Sequence, residues 1–237
     1  MIKKIHGRVK RFHLCINFGI TSTLTNYKIY AQMKISIGFV IVFLFWTGLA
    51  KAQEFHGGVT AGIVGSQVAG DGYSGFKKGG LYAGGYVSLD VSQRSALQLE
   101  ITYFMKGSQE NPREKNNYTD YLFRINYIEI PVLYQFKFGK FIIEAGPSAG
   151  ILTGYYETDA NGYEISDEPG YNKPARLSFQ INLGLRFFIT DKFGADFRTN
   201  NSLLNIRSEN RTWDVWRLWT YGQFSDALVL SFFYQFK

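Results

Sequence analysis

The sequence predicts an all-β chain: an eight-stranded antiparallel up-and-down transmembrane β-barrel, preceded by a cleavable signal peptide. Three observations lead there. Apolar and polar residues alternate with period two through most of the chain after Gln53. Tight and long connections between those segments follow one another in strict turn. The residues just before Gln53 have the form of an export signal.

Met33-Lys34 precedes the apolar run Ile35 to Leu49, and Ala50-Lys51-Ala52 follows it. A basic start, a short apolar stretch and an A-x-A exit describe a peptide cut before Gln53. The run falls short of the roughly 20 residues that a spanning helix needs. Residues 1–32 then read as a disordered upstream extension, 33–52 as the signal peptide and 53–237 as the barrel.

Eight strands follow in order. The first, 54–68, sets Phe55, Val59, Ala61 and Ile63 on one face, and the second, 80–91, does the same with Leu81, Ala83, Val87 and Leu89. In the third, Leu97, Leu99, Ile101, Tyr103 and Met105 oppose Gln98, Glu100, Thr102 and Lys106. The fourth, 123–138, opposes Ile128, Ile130, Val132, Tyr134 and Phe136 to Tyr127, Glu129, Gln135 and Lys137. The fifth, 140–155, offers Phe141, Ile143, Ala145, Ala149 and Ile151. The sixth, 176–189, sets Leu177, Phe179, Ile181, Leu183, Leu185 and Phe187 against Ser178, Gln180, Asn182 and Arg186. The seventh, 193–206, opposes Asp196, Arg198 and Asn200 to Ala195, Phe197 and Thr199. The eighth runs to the C-terminus on Leu228, Leu230, Phe232, Tyr234 and Phe236.

Tight turns fall at 92–94, 139–140 and 190–192, and long polar links at 65–79, 107–122, 156–175 and 207–225. All long loops therefore share one end of an up-and-down sheet, as in outer-membrane barrels. The polar face carries Glu100, Glu129, Glu144, Arg186 and Arg198, and eight strands enclose just enough room for side chains. The expectation is a filled interior, with the three glutamates paired to the two arginines and the apolar face turned to lipid. Tyr103, Tyr134, Tyr155 and Tyr234 fall near strand ends, where an aromatic girdle would sit.

Composition narrows the function. The formal charge is +7, but eight of the 26 basic residues precede Gln53, leaving 18 against 19 acidic residues in the body. A body this close to neutral does not concentrate nucleic acid, whose binding rests on phosphate neutralisation. The one cysteine, Cys15, lies in the leader and the body holds a single histidine, His56. No enzyme, cofactor or metal centre is expected from such a set. An acidic third loop (Glu157, Asp159, Asn161, Glu164, Asp167, Glu168) breaks the register of a calcium loop and reads as a solvated link.

The body resembles the PorT-type outer-membrane β-barrel family of Bacteroidetes. The resemblance lies in Ala52-Gln53, the block Tyr127-Ile128-Glu129-Ile130-Pro131-Val132-Leu133-Tyr134, Ala145-Gly146-Pro147-Ser148-Ala149-Gly150, and Asp196-Phe197-Arg198 leading to Leu203-Leu204-Asn205-Ile206. It implies an eight-stranded barrel of the outer membrane; the name-giving member is linked to type IX secretion.

One loop stands out. Trp213, Trp216 and Trp219 are all the tryptophans of the body and lie among Arg207, Arg211 and Arg217. Exposed Trp and Arg make binding hot spots; the same segment could instead extend the flanking strands, or lie at the lipid interface with arginine on lipopolysaccharide phosphates. The expected function is a non-enzymatic scaffold or interaction module of the cell envelope, with outer-membrane lipid, lipopolysaccharide and an envelope protein as partners. The alternative is a small-ligand-binding barrel or narrow conduit.

Overall fold

The computed structural model describes residues 55–208 and 213–236. The expected extension and signal peptide lie outside the described residues, as does Arg211. Seven long strands come first: β1 (Phe55–Ala69), β2 (Lys78–Ser92), β3 (Ser95–Glu110), β4 (Tyr121–Phe138), β5 (Phe141–Glu157), β6 (Leu177–Phe188) and β7 (Phe193–Ser202). A short ribbon follows, β8 (Val215–Arg217) and β9 (Thr220–Gly222), and then β10 (Phe224–Gln235). Each long strand pairs antiparallel with the next, and β10 pairs back onto β1 through Val59↔Tyr234, Ile63↔Leu230 and Ala69↔Phe224, closing an eight-stranded barrel.

The polarity of the wall is inverted relative to a water-soluble barrel. Along β3, Leu97, Leu99, Ile101 and Tyr103 are exposed, while Gln98, Glu100, Thr102 and Lys106 are buried. The same holds along β6, where Leu177, Phe179, Ile181, Leu183 and Leu185 face out and Ser178, Gln180, Asn182 and Arg186 face in. An apolar band of this kind is stable only against hydrocarbon, and closure leaves no unpaired edge in it. Phe138, Phe141, Phe193, Phe232, Tyr234 and Phe236 are exposed around the end that carries the tight turns, the place of an interfacial girdle. By the usual orientation this is the periplasmic end.

Side chains fill the lumen so tightly that wall glycines become necessary. A Cβ on Gly194 would lie 2.4 Å from the Phe233 ring. Nearer the loops, Val68, Tyr121, Phe123, Ile125, Tyr127 and Ile206 form an apolar plug, with Tyr73, Leu152 and Tyr155 packed against it.

Two expectations need correction. Tyr155 does not join the lipid-facing girdle. The β4–β5 register slips at Asn126/Tyr127, so that Thr153 is an extra residue on β5; beyond such a bulge the faces exchange. Tyr155 therefore turns toward the plug, where it stacks on Tyr171 with ring centroids 5.7 Å apart. The seventh strand also stops at Ser202 rather than Ile206, because Ile206 leaves the wall to join the apolar plug.

Candidate functional site: the luminal charge network and the outer hairpin

The inward alternation of β2 to β7 brings five chargeable side chains of the expected network, and two more, into one lumen. Arg198, fully buried on β7, is its centre. Its Nη1 donates to Glu100 Oε2 at 2.7 Å and to Tyr82 Oη at 3.0 Å, and its Nη2 donates to Glu100 Oε1 and Asp196 Oδ2, each at 2.9 Å. Glu144 Oε1 is 2.5 Å from the same Nη2. Arg186 on β6 donates to Gln98 Oε1 at 2.6 Å, and its guanidinium lies 4.0 Å from the Phe233 ring centroid and 4.7 Å from that of Tyr86.

Glu129 departs from the expected pairing. Its partner is Lys106 of β3, 2.5 Å away with both side chains buried, and Asn200 bridges the pair, accepting from Lys106 at 2.6 Å and donating to Glu129 at 3.0 Å. Glu129 stands opposite Thr102 in the wall, one turn of the pleat nearer the loops than Glu100. Lys106, four residues beyond Thr102 on the neighbouring strand β3, reaches it along the wall, whereas the arginines sit below. Lys106 is the functional partner that sequence reasoning left out; its inward parity on the third strand was the available signal.

This set closes the barrel rather than opening a path. Above it, Arg207 donates to Glu157 at 2.6 and 3.0 Å, Tyr121 Oη donates to Glu157 at 2.7 Å, and Tyr171 Oη donates to the same carboxylate. Arg207 is thus not an exposed loop cation but a clamp over the outer mouth. Below, at the periplasmic mouth, a cavity of about 100 Å³ is lined by His56, Ser88, Gln98, Gln135, Lys137 and Arg186, among others. At about 30 Å³ per water it has room for a few water molecules.

The tryptophan loop forms its own two-stranded ribbon. Val215, Trp216 and Arg217 pair with Gly222, Tyr221 and Thr220, and the tip residue Leu218 takes φ +52°, a costly conformation for a side-chain-bearing residue. Trp213, Trp216 and Trp219 are 65, 71 and 84% exposed. Arg217 does not share that exposure. Its guanidinium is bidentate on Asp226 at 2.8 and 2.9 Å, donates to the Ser202 carbonyl at 2.9 Å and covers the Phe224 ring. It fastens the ribbon to the barrel rim. The first long loop braces the other side: Gly70 and Gly72, both left-handed, lay the backbone against Gly222 and the Trp213 ring.

Between these two glycines sits Asp71, buried beneath the loops. Desolvation pushes its carboxyl up to about 6, against hydrogen bonds from Ser108 and from the Tyr73 and Asp71 backbone and the charge of Arg207, all of which lower it. A raised carboxyl favours the packed loop when protonated. The contribution is therefore full below pH 4 and lost as pH rises from about 4 to 6, at a cost of about 3 kcal/mol. Asp71→Asn is expected to slow limited proteolysis of the first loop at pH 8 and to leave it unchanged at pH 4; an equal rate at pH 8 would contradict this account.

No curated protein matches the chain. The solved structures to which the chain is similar share little sequence with it. Ail of Yersinia pestis is 14% identical, with 77% of this chain and 99% of Ail covered at a TM-score of 0.45. Neisserial surface protein A is 12% identical, with 78 and 100% covered at 0.45. AlkL is 13% identical, with 79 and 94% covered at 0.35. The assignment rests instead on the sequence. Residues 51–208, two thirds of the chain, match the family model described as outer membrane protein beta-barrel domain, and together with the closed register and the lipid-facing apolar wall this places the protein in that family and in the outer membrane.

Proposed function

We propose that the protein is a non-enzymatic interaction module of the cell envelope, whose outer hairpin binds another envelope protein. One observation carries the reading: Trp216 and Trp219 stand out from a ribbon held to the barrel by the Arg217–Asp226 fork and by the first loop. Large aromatics on a rigid support bind at low entropic cost and are the residues in which interface energy concentrates. The filled lumen speaks against the alternative of a conduit. Arg217 is spent on Asp226, which speaks against its use on lipopolysaccharide phosphates, although lipid and lipopolysaccharide still surround the wall.

On this reading residues 33–52 direct export and are removed before Gln53. The Tyr127–Tyr134 block supports a PorT-type relationship within Bacteroidetes, and with it a secretion-related partner. Affinity purification from mildly solubilised outer membranes, with the tag in the third long loop, tests the proposal. The intact protein is expected to bring down a stoichiometric envelope protein, and Trp216→Ser with Trp219→Ser to lose at least ten-fold of it. A solitary barrel in both cases would overturn the proposal.

A further inference from the structure

We propose that Asp196 is a proton-binding site inside the barrel, a carboxylic acid that keeps its proton at neutral pH and exchanges it through the periplasmic mouth. The first argument is charge. Lys106 and Glu129 compensate each other. Around Arg186 and Arg198 lie three carboxylates, Glu100, Glu144 and Asp196, all of them at most 1% exposed. Arginine does not give up its proton, so two fixed positive charges face three carboxyl groups. Beside them β1 and β10 present Thr60 and Ser231, β2 presents Tyr82 and Tyr86, and β4 presents Gln135; the next charged or titratable groups, Lys137 and His56 at the periplasmic mouth, both face Asp90, at 2.6 and 3.8 Å. An unpaired charge is costly on side chains buried to this degree, and a proton is the simplest neutraliser.

Hydrogen bonding singles out the carboxyl that holds it. Glu100 accepts from Tyr82, Gln98 and twice from Arg198. Glu144 accepts from Gln135 at 2.9 Å and contacts Arg198 at 2.5 Å. Asp196 accepts once, from Arg198 to Oδ2. Asp196 Oδ1 and Glu144 Oε1 are both buried without a hydrogen-bond partner, but Glu144 Oε1 lies 2.5 Å from the Arg198 guanidinium whereas Asp196 Oδ1 makes no ion-pair contact, so it is the oxygen with the least to lose on protonation. The route is also given. Arg186 Nε lies 3.8 Å from Glu144 Oε2 and 4.0 Å from Asp196 Oδ2, gaps of the size that water bridges, and Arg186 lines the cavity at the periplasmic mouth. The opposite end is shut by the Tyr121–Phe123 plug.

Infrared spectroscopy of the full barrel in phospholipid vesicles in D₂O tests this. At pH 7 the wild type is expected to show the C=O band of a protonated carboxyl, and Asp196→Asn to lose that band while unfolding at the same urea concentration. With the two sides of oriented vesicles buffered differently, the wild-type band is expected to follow the pH on the side of the chain termini. No protonated carboxyl in the wild type at pH 7, or a band that survives Asp196→Asn, would overturn the site. A band that follows the loop side would overturn the route. The wild-type spectrum alone decides the first point if the variant fails to fold.

Discussion

Replacing Arg198 with alanine is expected to destabilise the barrel by about 3–5 kcal/mol, the usual cost of removing one partner from a buried ionic cluster. The reason is the number of groups it serves. Glu100, Glu144, Asp196 and Tyr82 all lie within 3.0 Å of its terminal nitrogens, and alanine leaves all four without that partner. Urea unfolding in vesicles, followed by tryptophan fluorescence, would read the loss as a lower midpoint. Buried ion pairs are weak contributors when compared with apolar replacements of equal volume. Arg198→Met combined with Glu100→Gln and Glu144→Gln is therefore expected to recover much of the stability lost by the single variant. An unchanged midpoint for Arg198→Ala would show that water enters the lumen freely.

Ile101→Arg should be comparably damaging for the opposite reason. Ile101 is 62% exposed on the outer wall, beside Gly85, and a charge on the lipid face near the bilayer centre costs about 2–4 kcal/mol. Gln109→Arg, nearer the outer rim of the same strand, is expected to cost less than about 1 kcal/mol, since the penalty fades toward the interface. The contrast is measured by the same urea unfolding. In a barrel standing in water, Ile101→Arg would be neutral.

The wall was legible in the sequence and the pairings inside it were not. Alternation such as Leu97-Gln98-Leu99-Glu100-Ile101 states which side chains face which way, because the strand period is two and hydrocarbon and lumen differ sharply in polarity. It does not state height. Which charges meet in the lumen depends on strand stagger and side-chain reach, so alternation alone pairs Glu129 with the arginines, whereas Lys106 reaches it from four residues beyond its wall partner Thr102. Parity itself holds only while the ladder is regular; one extra residue, Thr153, sends Tyr155 inward. The ribbon around Leu218 escaped notice for a third reason. Strands of three residues are too short to show a period, and Arg217 reads as an exposed cation until Asp226, nine residues on, is seen beneath it.

The central claim is that this wall meets hydrocarbon while its polar face is sealed inside. Spin labels attached one at a time to cysteines replacing Leu97 through Tyr103, in the barrel inserted into vesicles, test it most directly. The account predicts that labels at Leu97, Leu99, Ile101 and Tyr103 collide readily with oxygen, which concentrates in lipid, and poorly with a water-soluble nickel chelate. Labels at Gln98, Glu100 and Thr102 should be immobilised and shielded from both. Nickel collisions at Leu99 and Ile101, with no period of two along the strand, would contradict it.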